Sequence, residues 1–285
     1  MLRKIALRGI EMELEEAGAG ERAFVLVHGF TGSRDDFREH VPELARLGRT
    51  IALDQRGHGG TSNSGRREDY TLDGLVADLA AAFDALGLMR ADLLGHSLGG
   101  MVALRFALAH PGRVASLVLM DTSARPMPLP IPEPIRAALV KLVYEQGVAA
   151  LLPGMRQRPP GDVPPSMRRT IEQMGVDLFW GRIRRKLEAM DPVAWEELLR
   201  VLGDHPPAVD RLGEIRCPTL VLVGAEDAPF LAPADELERG IRGSLRVTIE
   251  GAAHSPQLEN PPAWAAAIRA HLARVRSTDP GGSVS

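Results

Sequence analysis

Short runs of consecutive apolar residues alternate along the chain with longer stretches in which apolar residues recur at helical spacing. Ala23–His28 (AFVLVH), Thr50–Asp54 (TIALD), Ala91–Leu94, Val114–Met120 (VASLVLM) and Thr219–Val223 (TLVLV) are hydrophobic at almost every position. A strand covered on one face would alternate, so these runs read as buried strands of a parallel sheet clothed on both faces. Between them, Leu72–Leu86 and Leu98–Ala109 carry the helical period. Strand and helix in alternation predict βαβ units and an α/β fold with a mostly parallel, doubly wound sheet. The opening segments, Ile5–Arg8 and Glu11–Glu16, predict a hairpin on the sheet edge.

The alternation stops after Asp121. From Arg125 to about Pro207 the chain is rich in proline, methionine and arginine, with helical pieces at Pro134–Tyr144, Pro165–Met174 and Val193–Leu202 and no strand signal. It resumes with the strand at 219–223, a helix near Pro233–Arg239, a strand at Leu245–Glu250 and a helix at Pro262–Arg276. The pattern predicts a core of residues 1–124 and 208–276 and a helical lid over 125–207. Ligands of such sheets bind outside the carboxyl ends of the strands, where the lid would sit. The Gly/Ser/Pro-rich end, 277–285, is expected to be disordered.

Composition narrows the class of partner. A chain of 285 residues, 45% hydrophobic, can bury one large core, and a net charge of -3 gives no electrostatic case for nucleic acid or a membrane surface. The single cysteine, Cys217, excludes an internal disulfide framework and reads as a small buried hydrophobe. The N-terminus lacks a signal peptide's apolar stretch, and no segment approaches the ~20 apolar residues that span a bilayer. A cytoplasmic location is therefore the default expectation.

The candidate chemistry sits at strand ends. Gly95-His96-Ser97-Leu98-Gly99 lies where the strand Ala91–Leu94 meets the helix Leu98–Ala109. So sharp a turn forces the central serine into a strained conformation with its hydroxyl projecting, and side chains at the flanking glycines would collide with strand and helix. A serine hydroxyl needs a base. His254 follows the strand Leu245–Glu250 across Gly251-Ala252-Ala253, small residues that let an imidazole approach the sheet edge. His40, His110, His205 and His271 read as surface residues, His96 as pointing away from the serine, and His28 and His58 as fixing loop geometry. The carboxylate that orients the imidazole is expected to be Asp227, which follows the strand Thr219–Val223, with Asp121 as rival and Glu226 as a weaker one. The backbone N–H groups of Leu98 and Phe30 are the candidate oxyanion donors.

His28-Gly29-Phe30, Asp54-Gln55-Arg56-Gly57-His58-Gly59, Gly95-His96-Ser97-Leu98-Gly99-Gly100, Gly224-Ala225-Glu226-Asp227 and Gly251-Ala252-Ala253-His254 occur in order across residues 24 to 262. Together they resemble the motifs of the α/β-hydrolase superfamily. The resemblance implies the α/β-hydrolase fold with a helical cap at about 125–207, no cofactor and no metal, and it supports Asp227 over Asp121. Ser97 sets the chain apart from haloalkane dehalogenases and epoxide hydrolases, which carry aspartate at that place. The whole is similar to bacterial carboxylesterases, enol-lactonases and acyl-homoserine lactonases. The loop His28–Ser33 resembles that of the menaquinone-pathway synthase that eliminates pyruvate, although Met101 stands where that family carries arginine.

The expected activity is hydrolysis of a small-molecule carboxylic ester or lactone through an acyl-enzyme. A lyase or carbon–carbon bond hydrolase on the same fold, or a slow-turnover small-molecule binding protein, is the alternative. His28 and Gly29 in the first loop and Tyr144 and Trp180 in the lid are candidate pocket walls. Arg182, Arg184, Arg185 and Lys186 read as a solvated helix face.

Overall fold

The computed structural model describes residues 1–7 and 9–277; the stretch 278–285, where the expected disorder falls, lies outside the described residues. The chain runs through β1 (Leu2–Leu7), β2 (Ile10–Ala17), β3 (Phe24–Val27), α1 (Val41–Leu44), β4 (Thr50–Leu53), α2 (Leu72–Ala85), β5 (Ala91–His96), α3 (Leu98–Ala109) and β6 (Val114–Met120). The helical insert follows as α4 (Glu133–Gln146), α5 (Leu152–Arg156), α6 (Pro165–Met174), α7 (Val176–Glu188) and α8 (Pro192–Gly203). The chain closes with β7 (Thr219–Gly224), α9 (Ala228–Gly240), β8 (Leu245–Ile249), α10 (Pro256–Glu259) and α11 (Pro261–Ser277). Ser277, assigned above to the disordered tail, is the last residue of α11.

The strands form one eight-stranded sheet in the order β1-β2-β4-β3-β5-β6-β7-β8. β1 and β2 make the antiparallel edge hairpin, β2 meets β4 antiparallel, and every other pairing is parallel. The five strands from β3 to β7 are buried at every position. Alternate residues feed two cores. Phe24, Leu26, Leu94, Val118, Leu220 and Leu222 pack with Phe37 and with Trp264 and Ile268 of α11. Val25, Val27, Leu93, Leu117, Val221 and Val223 pack on the other face, with Leu79 and Phe83 of α2 and Val102 and Phe106 of α3. A strand facing two apolar layers has no polar side, which is why the pattern reads as continuous runs.

The strand β5 extends two residues past Leu94. Gly95 pairs with Val27 and His96 with Met120, positions that an apolar pattern cannot see. His40 and His271, read as surface residues, are 4% and 3% exposed. The His40 ring lies 4.2 Å from that of Trp264, and its Nε2 bonds the Gln257 carbonyl at 2.7 Å. Cys217 is half-buried rather than buried. Among the described residues, no helix is long and apolar enough to cross a membrane.

Candidate active site

The turn from β5 into α3 puts Ser97 at φ 53°, ψ −117°. L-residues other than glycine rarely adopt positive φ, and holding one there costs on the order of 1–3 kcal/mol. Four hydrogen bonds hold it: Ser97 N–H donates to the Met120 carbonyl (2.9 Å), while the Ser97 carbonyl accepts from Gly100 N–H (2.9 Å), Met101 N–H (3.1 Å) and the Thr122 hydroxyl (2.6 Å). The glycines are required by space. A Cβ on Gly95 would sit 2.2 Å from the Gly99 carbonyl oxygen, and one on Gly99 would sit 2.4 Å from the Val27 and His28 carbonyl oxygens. The Ser97 side chain does not cap α3, so its hydroxyl is left for the cavity above.

His254 sits in the turn between β8 and α10. Its Nδ1–H donates to Asp227 Oδ2 at 2.7 Å, the proton position following from the acceptor. That leaves Nε2 as the accepting nitrogen. The imidazole lies 4.7 Å from the Phe230 ring and 5.0 Å from the His96 ring. Asp227 follows β7, its side chain 7% exposed. Thus the structure joins Asp227 and His254 directly. Ser97 and His254 line one cavity of about 290 Å³ without a hydrogen bond between their side chains among the described contacts. Such bonds are often long before substrate arrives.

The two rivals for the carboxylate position are accounted for. Glu226 turns to the lid, accepting from Ser166 N–H (2.6 Å) and Arg169 (2.8 Å). Burial works against its charge, but these partners win and hold its carboxyl below the ordinary range. Asp121 directly follows β6, behind Asp227, and accepts from Gly224 N–H at 2.9 Å. Burial first, then the neighbouring Asp227 charge, push its carboxyl well up. Asp121, Asp227 and His254 also form the one described group of side chains close enough to ligate an ion. The 2.7 Å Nδ1–Oδ2 contact leaves space for a proton there and not for a metal.

Gly29 and Phe30 line the cavity with Thr31, itself at φ 59°. Leu98 is the first residue of α3, where backbone N–H groups have no partner within the helix. The Phe30 amide is likewise not taken up by any described loop bond. Phe30 thus lines the cavity itself, and Leu98 is the residue directly after Ser97, which lines it too.

Three expected walls stand elsewhere. His28 is fully buried beneath the loop, donating from Nδ1 to the Gly29 carbonyl (2.8 Å) and accepting at Nε2 from Gln55 N–H (3.0 Å). Burial lowers its pKa to about 4. Tyr144 is exposed, and its hydroxyl pins α4 to α8 through Glu196 at 2.8 Å. Trp180 is outside the cavity, with Arg156 5.8 Å over its ring and Phe179 against its edge; Phe179 is the aromatic that lines the cavity. Adjacent helical residues face different ways, so one position separates wall from flank.

His96 does not point away. Its Nε2–H donates to the His254 carbonyl at 2.6 Å, and the ring lines the cavity. Burial, then the proximity of His254, lowers its pKa to about 3. The basic run of α7 divides: Arg184 and Arg185 are exposed, whereas Arg182 and Lys186 line the cavity with Arg158. Lys186 pairs with Asp36 at 2.6 Å and Arg182 with Glu39 at 2.9 Å, tying lid to core. Their i, i+4 spacing beside Phe179 and Ile183 is the sequence signal for a shared face.

The family model described as alpha/beta hydrolase fold matches residues 22–261. Epoxide hydrolase A of Mycobacterium tuberculosis (strain ATCC 25618 / H37Rv) is 30% identical over 309 residues, covering 93% of this chain and 95% of that protein. A protein of Bacillus subtilis (strain 168), provisionally named 2-succinyl-6-hydroxy-2,4-cyclohexadiene-1-carboxylate synthase, is 29% identical over 252 residues, 87% of this chain and 89% of its own. Among solved structures, a thermophilic esterase from Thermogutta terrifontis superposes with a TM-score of 0.81 at 31% identity, covering 96% of this chain and 99% of the esterase.

Proposed function

Because the chain belongs to the alpha/beta hydrolase fold family, we propose that it is a serine-dependent enzyme that cleaves a carboxylic ester or lactone through an acyl-enzyme. The carrying observation is the strained Ser97, φ 53°, opening on the cavity that the Asp227-bound His254 also lines. In this reading His254 Nε2 takes the Ser97 proton as Oγ attacks the carbonyl carbon. The developing oxyanion is received by the N–H groups of Phe30 and Leu98, a donor of this kind being worth ~2.7–4 kcal/mol. Collapse expels the alcohol, which takes the proton from His254, and water then releases the acid by the same steps in reverse. Asp227 holds the imidazole in the tautomer that leaves Nε2 free to accept. The similarity to an epoxide hydrolase fits the fold, while the residue at the elbow here is a hydroxyl.

A second reading is elimination or carbon–carbon cleavage of a carboxylate-bearing substrate, with Ser97 and His254 moving a proton. It is favoured by the synthase-like relative that matches 87% of the chain and by Arg158, Arg182 and Lys186 on the cavity wall. One experiment separates the readings. The enzyme is incubated with nitrophenyl esters, lactones and the synthase substrate, and the intact protein is weighed by mass spectrometry during turnover. An acyl adduct on Ser97, absent in Ser97→Ala along with the activity, supports the ester reading. Turnover of the synthase substrate alone, with no adduct, supports the second. Full activity in Ser97→Ala sinks both.

A further inference from the structure

Behind the His254–Asp227 pair lies a carboxyl that the reaction above does not use. Asp121 directly follows β6 at φ 44°, in the left-handed region that aspartate enters more readily than most residues, and it is 1% exposed. Its Oδ1 accepts the Gly224 N–H at 2.9 Å. Its Oδ2 is fully buried and has no hydrogen-bond partner among the described residues. One carboxylate oxygen of Asp121, one of Asp227 and a ring nitrogen of His254 lie within 4.8 Å of one another. The titratable groups that face Asp121 are therefore Asp227 from the turn after β7, His254 from the turn after β8, and Glu259 from α10.

Two carboxylates so close in a buried site do not both stay ionised. Asp227 already accepts the Nδ1–H of His254, so the shared proton falls to Asp121. Burial and the Asp227 charge act in that direction, and the Gly224 N–H, which favours the anion, does not outweigh them. A proton on Oδ2 also gives that buried atom something to do, since Asp227 is the acceptor beside it.

We propose that Asp121 is a positioning residue: held as a neutral acid, it donates its Oδ2 proton to Asp227 and fixes the carboxylate that orients His254. The proposal rests on the roles given above to His254 and Asp227. It leaves one negative charge behind the imidazole instead of two. A second charge would hold the imidazolium too firmly for it to return its proton to the leaving group.

Asp121→Asn tests the protonation state, because its amide presents a carbonyl oxygen to Gly224 and an NH₂ to Asp227, as the neutral acid does. This variant is expected to keep kcat close to the parent's and the acid limb of the pH–rate profile in place. Asp121→Leu removes the donor, and kcat is expected to fall about tenfold or more with KM little changed and the acid limb displaced. Infrared difference spectra of the parent and the Asn variant at neutral pH, which need no turnover and no Leu variant, are expected to show a protonated-carboxyl band lost on substitution. The absence of that band overturns the proposal, as does an Asn variant as impaired as the Leu variant, or a folded Leu variant with the parent's rate and profile. A failure of the Ser97→Ala test leaves the infrared result standing, so the two readings fail separately.

Discussion

Ser97 keeps its positive φ because the end of β6, the loop after it and the first turn of α3 supply acceptors and donors at the right places. Of its four backbone bonds, the one from the Thr122 hydroxyl comes from a side chain and is therefore open to mutation. Thr122→Val keeps the shape and removes the donor. Stability should fall by about 1 kcal/mol, the usual worth of one such bond, and kcat should fall with little change in KM. Thermal unfolding and steady-state kinetics check this, and a variant with parental kcat would show that Thr122 does not support the turn. The strain at Ser97 was legible in the sequence because glycines two before and two after a serine leave the turn few other solutions. The brace was not legible, because Thr122 lies 25 residues away along the chain and beside Ser97 only once β5 and β6 pair.

At the scale of elements, the loops after the strands are fastened to helices by buried or half-buried charges. Arg56, in the loop after β4, grips Asp78 of α2 through Nε at 2.6 Å and Nη2 at 2.5 Å, with both side chains under 5% exposed. Asp78→Ala leaves the guanidinium buried without that partner and should destabilise the fold by roughly 3–5 kcal/mol, whereas replacing both residues with apolar ones should cost less. Denaturant unfolding of the single and double variants decides this; equal losses would show that the charge is not the issue. The lid is fastened differently, by Lys186 to Asp36 and Arg182 to Glu39, and these same side chains face the cavity. If they also receive a substrate carboxylate, Arg182→Gln should raise KM about tenfold for a carboxylate-bearing ester and leave a neutral ester of the same size nearly unaffected. An equal effect on both would assign Arg182 to holding the lid alone. In the insert α4, α6 and α8 were readable from their period, but α5, and which face of α7 meets the site, were not. Four basic residues in five positions look solvated until Phe179 and Ile183 are seen to turn two of them inward.

At the scale of the whole molecule, the sheet buries a set of imidazoles that must stay neutral. Burial lowers His28 to about 4, and burial with a neighbouring histidine lowers His58 and His96 to about 3. An unfolded histidine titrates near ~6.5. Below that pH the unfolded chain binds protons that the folded chain refuses, so the stability present above it is lost progressively as pH falls toward 4 and below. The melting temperature should therefore start to drop near pH 6.5, before ordinary carboxylates titrate, and His58→Gln should make the early decline shallower. A parent melting temperature that stays flat from pH 7 to 5 would contradict this account. His40 and His271, read from the sequence as surface residues, are depressed by burial in the same direction and add to the effect.

The sequence by itself determined the strands, the edge hairpin, the helical insert and the turn at Ser97, because each is a local pattern: apolar period, glycine spacing, the order of strand and helix. It also ranked Asp227 ahead of Asp121 and Glu226. Only the tertiary structure separated what the three carboxylates do, one on the imidazole, one buried behind it and one turned to the lid. Their roles depend on distances between strand ends and on the water removed from around them, and no spacing along the chain encodes either. The same reason moved His28, Tyr144 and Trp180 off the cavity wall and put Phe179, Arg182 and Lys186 on it.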